Sequence, residues 1–171
     1  MAKSKDGKNI VLIGMPGCGK SYIGQILADQ TGMCFIDMDA VIEKEEQISI
    51  SEIFSKYGEK YFRELEMKKA AELSVSSSAI ISTGGGVILF PENIENLKAN
   101  GVVFFIDRKI SLIISSSDMA DRPLLKNDSE INLKKLYDNR INLYRSYADY
   151  IVQNNAGPYE AAEEIMRRFT K

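Results

Sequence analysis

The residues best suited to chemistry in this chain lie at positions 14–21, which read Gly-Met-Pro-Gly-Cys-Gly-Lys-Ser. This is the spacing G-x-x-x-x-G-K-[ST], in which glycines let successive N–H groups point into one concavity. An apolar run at 10–13 precedes it, and a helical pattern at 21–31 follows with its partly positive N-terminus. Lys20 can then reach the β- and γ-phosphates, and the hydroxyl of Ser21 can hold Mg²⁺. The pattern predicts a phosphate-binding loop for a nucleoside triphosphate; the alternative is a Gly/Pro-rich turn with a chance lysine.

The chain contains no histidine. This absence excludes a Ser-His-Asp triad, a His-ligated zinc site and acid–base chemistry by imidazole. Any catalysis must therefore use carboxylates, arginines, the lysine of the phosphate-binding loop and a metal ion.

Two carboxylates, Asp37 and Asp39, stand at the end of the apolar run 34–37. Ligands of an open α/β sheet bind outside the carboxyl ends of its strands, so the pair is expected beside the phosphate-binding loop. Extended backbone through this segment would point both side chains the same way. One carboxylate can support Mg²⁺ while the other orients or deprotonates an attacking hydroxyl. The alternative is that both aspartates cap a helix starting near Ala40.

A glycine run and three arginines complete the candidate set. The glycines within 83–86 leave a backbone with no side-chain wall, which a small ligand can approach closely; an ordinary turn is the alternative. Arg63 and Arg140 lie in helical patterns, where solvated arginines are common, and Glu59 has ion-pair spacing to Arg63. Arg122 lies in a long polar segment and can close over phosphates as a charge clamp.

Composition limits the partners of the chain. Its 171 residues suit one domain, and 44% hydrophobic with 27% charged residues is ordinary for a globular protein. A formal charge of -2 gives no basic excess for nucleic acid. No apolar run approaches the ~18 residues of a membrane span, and the start lacks a signal-peptide core. With two cysteines and no disulfide framework, we expect a reduced, cytoplasmic protein. We also expect a monomer that binds neither nucleic acid nor membrane.

Apolar runs that alternate with helical patterns predict a three-layer α/β fold with a mostly parallel sheet. The predicted strands are 10–13, 34–37, 79–82, 102–107 and 150–153. The predicted helices are 21–31 ending at Gly32, one from Ser49 to Gly58, 59–74, 91–99 closing at Gly101, 130–147 and 158–169. Residues 1–8 are expected to form a disordered tail. A lid is expected at about 110–129, for which a plain surface loop is the alternative.

Six segments in this order resemble the shikimate kinase family: GMPGCGKS (14–21), DMD (37–39), FRELE (62–66), TGGG (83–86), RPLL (122–125) and RINLY (140–144). The resemblance implies a P-loop kinase of the nucleoside monophosphate kinase type, with a five-stranded parallel sheet of order 2-3-1-4-5 and a mobile lid. It also implies transfer of a phosphoryl group from ATP to the 3-hydroxyl of shikimate, in chorismate and aromatic amino-acid synthesis, with one Mg²⁺ per subunit.

The same resemblance implies the site residues. Catalysis is assigned to Lys20, Asp39 and Arg122, and the metal to Ser21 and Asp37. ATP binding is assigned to Gly17, Cys18, Gly19, Lys20, Ser21, Tyr22 and Arg122. Shikimate binding is assigned to Asp39, Arg63, Gly84, Gly85, Gly86 and Arg140, in a pocket shaped by Phe54, Phe62 and Glu66. Arg63 and Arg140 would hold the carboxylate, because arginine offers it a bidentate fork.

One position departs from the family pattern. Family members often carry an arginine seven residues before the lid arginine, packed on adenine, and Ser115 stands there in this chain. A weaker hold on the nucleotide is therefore expected, with the phosphoryl-transfer residues unchanged. Two rival functions stay open at this point, namely another small-molecule kinase, such as a gluconate or nucleotide kinase, and a non-catalytic regulator. A GTPase switch is disfavoured because no Asn-Lys-x-Asp motif appears.

Overall fold

A five-stranded parallel sheet forms the centre of the computed structural model, which describes residues 7–115 and 129–170. The strands are β1 (Asn9–Ile13), β2 (Cys34–Asp37), β3 (Ala79–Ser82), β4 (Gly101–Asp107) and β5 (Tyr150–Gln153). Their spatial order is β2-β3-β1-β4-β5, and every neighbouring pair is parallel. The predicted fold class and strand order are confirmed.

Burial explains why the strands are continuous apolar runs. Every residue of β1 and of β3 is buried, because helices cover both faces of these inner strands. The edge strands β2 and β5 are only partly buried. Parallel pairing brings the carboxyl ends of all strands to one edge of the sheet, where the phosphate-binding loop, Asp37 and the glycine turn at 84–86 lie.

Seven helices surround the sheet within the described residues, and a single turn of 3₁₀-helix covers Val87–Leu89. They are α1 (Lys20–Thr31), α2 (Met38–Glu46), α3 (Ile50–Ser74), α4 (Pro91–Ala99), α5 (Ile110–Ile114), α6 (Ser129–Tyr147) and α7 (Pro158–Phe169). Helix α1 packs against α7, and α3 packs against both α2 and α4.

Several predicted helix ends are confirmed. Gly32 ends α1 in the left-handed region at φ 73, and its N–H donates to the carbonyl of Ala28 at 2.8 Å. Ser49 and Glu52 form a reciprocal capping box at the start of α3. Gly58 interrupts α3 with φ 80 and ψ 171, so the chain forms two helical segments that meet at a kink, as predicted.

Two expectations about local structure were wrong. Gly101 does not close α4 but opens β4, where a Cβ would lie 2.5 Å from the carbonyl oxygen of Leu97. The backbone is not extended through residues 37–39, because Oδ1 of Asp37 accepts the N–H groups of Asp39 and Ala40 at 3.1 and 3.2 Å and starts α2. The capping alternative is therefore right for one oxygen of Asp37.

The predicted lid and tail lie partly beyond the described residues. Of the lid at about 110–129, the structure describes α5, Ser115 and the start of α6, whereas Arg122 lies outside the described ranges. Of the tail at 1–8 it describes residues 7 and 8; the carbonyl of Gly7 accepts the N–H of Ser78 at 2.8 Å and the hydroxyl of Ser77 at 2.9 Å. No helix among the described residues is both long and apolar enough to span a membrane.

Candidate active site

The loop between β1 and α1 wraps around the amine of Lys20. The Nζ atom donates to the carbonyl oxygens of Gly14 and Met15 at 2.9 and 3.0 Å, and the lysine is only 7% exposed. Gly19, at φ 97, forms the left-handed turn that starts α1, where a Cβ would meet the amide of Asn154 at 2.6 Å. The loop therefore holds its cation inward, at the N-terminus of α1, where an anion is favoured.

Sequence reasoning missed two residues that support this loop from the β4 and β5 side. The Nδ2 atom of Asn154 donates to the carbonyl of Cys18 at 2.8 Å, and Nη1 of Arg108 donates to the carbonyl of Gly17 at 3.3 Å. Both directly follow strands, Arg108 after β4 and Asn154 after β5. Their place at the carboxyl ends of two strands was the signal that would have found them.

A cavity of about 470 Å³ opens beside the loop. One wall consists of residues assigned to ATP, namely Gly17, Gly19, Lys20, Ser21 and Tyr22, and the other of Arg108, Leu112 and residues 154–158. Cys18 does not line the cavity, since its side chain is buried and its N–H donates to the carbonyl of Met15 at 3.2 Å. Ser115 is exposed, and its hydroxyl donates to the carbonyl of Leu112 at 3.1 Å.

Next to Lys20, three side-chain oxygens form a group suited to a hard cation. The hydroxyl of Ser21 donates to Oδ2 of Asp37 at 2.5 Å and lies 3.2 Å from the hydroxyl of Ser82, a residue that sequence reasoning missed. Magnesium prefers oxygen ligands and commonly takes one or two from the protein and the rest from phosphates and water. The described residues hold no cluster of three or more acidic, Cys or His side chains able to bind a metal. The donor set fits Mg²⁺ bound together with a nucleotide.

The glycine turn at 84–86 packs against three parts of the site at once. A Cβ on Gly84 would lie 2.7 Å from both Oδ1 of Asp39 and Oε1 of Glu66. A Cβ on Gly85 would lie 2.8 Å from the ring of Pro16, in the phosphate-binding loop. On Gly86 it would lie 2.2 Å from Nη1 of Arg63. The lack of side chains here permits contacts that no other residue type would allow.

Arg63 and Arg140 reach the same turn from different helices. Arg140, on α6, donates from Nη1 to the carbonyl of Gly85 at 3.0 Å, and the hydroxyl of Tyr144 donates to the same oxygen at 2.5 Å. Arg63, on α3, is paired with Glu66 at 2.8 Å and with Glu59 at 3.0 Å.

Each of these arginines is 6% exposed, so interpreting them as solvated helix arginines is wrong, although the expected pairing with Glu59 is present. Gly85 contacts both Pro16 and Arg140, so the phosphate-binding loop and a buried arginine meet at one turn.

Comparison with known proteins identifies the family. A family model described as "Shikimate kinase" matches residues 16–170. The chain belongs to the shikimate kinase family. A shikimate kinase of Clostridium botulinum (strain Eklund 17B / Type B) is 46% identical over 158 residues, which cover 92% of this chain and 94% of the relative. This family member is therefore a kinase that uses ATP as its co-substrate.

Solved structures of the family superpose closely on the chain. A shikimate kinase from Acinetobacter baumannii in complex with shikimate gives a TM-score of 0.87 at 33% identity, over 95% of this chain and 91% of that one. The shikimate kinase from Aquifex aeolicus gives 0.80 at 36% identity, over 93% and 94% of the two chains. The P-loop kinase fold expected from the sequence is confirmed.

In this kinase Glu66 is the most strongly buried acid of the site. Burial raises the pKa of Glu66 to about 7, although the guanidinium of Arg63 opposes the shift. The carboxylate of Asp39 adds to the rise, and Arg140 opposes it. Its Oε1 has no hydrogen-bond partner within the part of the chain that the structure describes. At neutral pH this carboxyl is therefore poised between its two protonation states.

Two aromatic rings lie beside Arg63. Phe54 and Phe62 of α3 lie with their ring centroids 4.9 Å apart, and the Cζ atom of Arg63 lies 5.2 Å from the ring of Phe62. A planar guanidinium against an aromatic ring is held in one orientation, which favours a defined contact with a carboxylate.

We predict that Glu66 makes the stability of the fold depend on pH. Its pKa is raised from 4.5 to about 7, so the folded chain keeps a proton that the unfolded chain releases. The free energy of unfolding should therefore fall as pH rises from about 4.5 to about 7, and Glu66→Gln should remove this component. Denaturant unfolding of both proteins across this range measures it.

The exposed Glu64→Gln change on the same helix is the control, which should retain the wild-type slope. Parallel pH profiles for wild type and Glu66→Gln would contradict the assignment.

Proposed function

We propose that the chain transfers the γ-phosphoryl group of ATP to the 3-hydroxyl of shikimate, giving shikimate 3-phosphate and ADP, for chorismate and aromatic amino-acid synthesis. The observation that carries this proposal is the contact of Gly85 with both Pro16 and Arg140. It joins a phosphate cradle and a buried guanidinium at one turn, as transfer from a triphosphate to a small organic acid requires. The shikimate bound to the kinase of A. baumannii supports the same acceptor here.

The donor side works by alignment and charge. We assign ATP to Gly17, Cys18, Gly19, Lys20, Ser21 and Tyr22, with Arg122 closing from the lid. Cys18 would bind through its N–H, which would exchange the carbonyl of Met15 for a phosphate oxygen. On binding, Lys20 would exchange the carbonyls of Gly14 and Met15 for phosphate oxygens. We assign one Mg²⁺ per subunit to Ser21 and Asp37, where it would neutralise charge on the transferring phosphate. The loop N–H groups, Lys20 and Arg122 would stabilise the same developing charge.

The acceptor side holds the acid and its hydroxyl. We assign the shikimate carboxylate to Arg63 and Arg140, and the ring to the backbone of Gly84, Gly85 and Gly86. Asp39, against Gly84, would accept the hydroxyl proton as the new P–O bond forms and the bond from phosphorus to the ADP oxygen breaks. Binding would partly replace Glu59 on Arg63 by the substrate carboxylate.

The remaining proposals concern the domain organisation, oligomeric state and location of the chain. We propose one domain over residues 1–171 with a lid at about 110–129, acting as a monomer in the cytoplasm without nucleic acid or membrane. The formal charge of -2 supports the absence of nucleic acid, and the two free cysteines suit a reducing compartment.

An assay for ADP release tests the function directly. The purified chain is supplied with ATP and Mg²⁺ and, in turn, with shikimate, gluconate and nucleoside monophosphates. Turnover with shikimate alone is the expected result. Preference for gluconate or a nucleotide would indicate another small-molecule kinase. Shikimate and ATP binding without turnover would indicate a regulator.

We predict that Asp39→Asn lowers kcat by about 10²-fold or more, in line with the usual contribution of a general base. The amide keeps the size of the side chain but cannot take the proton. Steady-state ADP release at saturating substrates measures the effect. Asp29→Asn, the same change at an exposed position of α1, should leave kcat unchanged. Near-normal turnover of the Asp39 variant would remove this residue from catalysis.

We predict that Arg140→Ala mainly raises the KM for shikimate, because its contact with the carboxylate is made in the ground and transition states alike. Loss of one charge-assisted contact corresponds to roughly 10- to 100-fold. Initial rates against shikimate at saturating ATP measure it. Arg145→Ala, an exposed arginine of the same helix, is the matched control. An unchanged KM for shikimate would refute the assignment of the carboxylate.

A further inference from the structure

Arg108 is a cation in the nucleotide cavity that none of the assignments above uses. It follows β4 directly and lines the cavity beside Gly17. Its Nη1 donates to the carbonyl of Gly17 at 3.3 Å, while its Nε is buried and has no hydrogen-bond partner within residues 7–115 and 129–170. No carboxylate of these ranges forms an ion pair with it. A buried donor without an acceptor costs free energy that a bound acceptor would recover.

The order of the strands places Arg108 relative to the phosphate-binding loop. The phosphate-binding loop follows β1, β4 lies next to β1, and β5 lies beyond it. The cavity is lined at one side by Lys20 and Ser21, and at another by Ala156 and Pro158 after β5, and Arg108 also lines it. With the phosphates on the loop, the ribose and base would occupy the rest of the cavity, which Arg108 lines.

The surroundings of Arg108 suit a base better than a phosphate. Leu112, Ala156 and Pro158 give the outer part of the cavity apolar surface, whereas Lys20 lies in the wall at the phosphate-binding loop. A guanidinium presents a flat face for stacking and N–H groups for ring nitrogens or ribose oxygens. Its bond to Gly17 restrains the plane of the group before ligand arrives.

We propose that Arg108 binds the base and ribose of ATP and thereby determines nucleotide affinity in this chain. The inference rests on the proposed ATP-dependent reaction. The competing explanation is that Arg108 only braces the loop at Gly17, in which case its loss would alter binding of the phosphates and the stability of the fold.

The test compares ATP with inorganic triphosphate, which has the phosphates but no base. For Arg108→Ala we expect the KM for ATP to rise about tenfold or more, as for the loss of one charge-assisted contact. Three quantities should stay close to wild type in this variant. They are the inhibition constant of triphosphate in competition with ATP, the KM for shikimate and the melting temperature. Arg108→Lys should not restore ATP affinity, because lysine lacks the planar group.

Lys109→Ala is the matched control, an exposed cation on the neighbouring residue that does not line the cavity, and it should behave as wild type. Equal weakening of ATP and triphosphate, rescue by lysine, or an unchanged KM for ATP would each overturn the proposal. If the wild-type chain lacks turnover with shikimate, calorimetric binding of ATP and triphosphate gives the same comparison. A failure of the proposed reaction can therefore be distinguished from a failure of the Arg108 assignment.

Discussion

The absence of side chains at residues 84–86 is the constraint on which this site depends. Gly84 lies against Asp39, Gly85 against Pro16, and Gly86 against Arg63, at distances that leave no space for a Cβ. The backbone of one turn therefore fixes the phosphate-binding loop, the candidate base and a buried guanidinium relative to one another. Since catalysis of phosphoryl transfer is largely alignment, this close packing bears directly on function.

A second property of the site is that its cations already have partners inside the protein. Lys20 donates to two carbonyl oxygens, Arg140 to the carbonyl of Gly85, and Arg63 to Glu59 and Glu66. Burying such charges without partners would cost several kcal/mol each, on the order expected for unpaired buried ions. The anionic groups of the substrates can replace these internal partners at little extra desolvation cost. The internal partners of these cations thus account both for the stability of the buried charges and for the selectivity of the site for anions.

Much of the fold followed from local signals in the sequence. Continuous apolar runs located the strands, and Gly32 and the capping box at Ser49 located two helix ends. The strand order was implied by the family resemblance. The helix beginning at Met38 was expected only as the alternative, starting near Ala40, because Asp37 serves both as its cap and as a partner of Ser21. Arg108 and Asn154 were missed although each directly follows a predicted strand, where ligands of such a sheet bind. The contact of Ser82 with Ser21 depends on which strands become neighbours, and spacing along the chain does not reveal that.

The most direct test of the account is a crystal structure of the chain with ADP and shikimate bound together. We expect the β-phosphate of ADP within the loop at 14–21 and the shikimate carboxylate against Arg63 and Arg140. The ring should rest on the turn at 84–86, with a ring hydroxyl within hydrogen-bond distance of Asp39. Shikimate bound away from that turn, or on the opposite side of the sheet from ADP, would contradict the claim that one glycine turn holds both halves of the reaction.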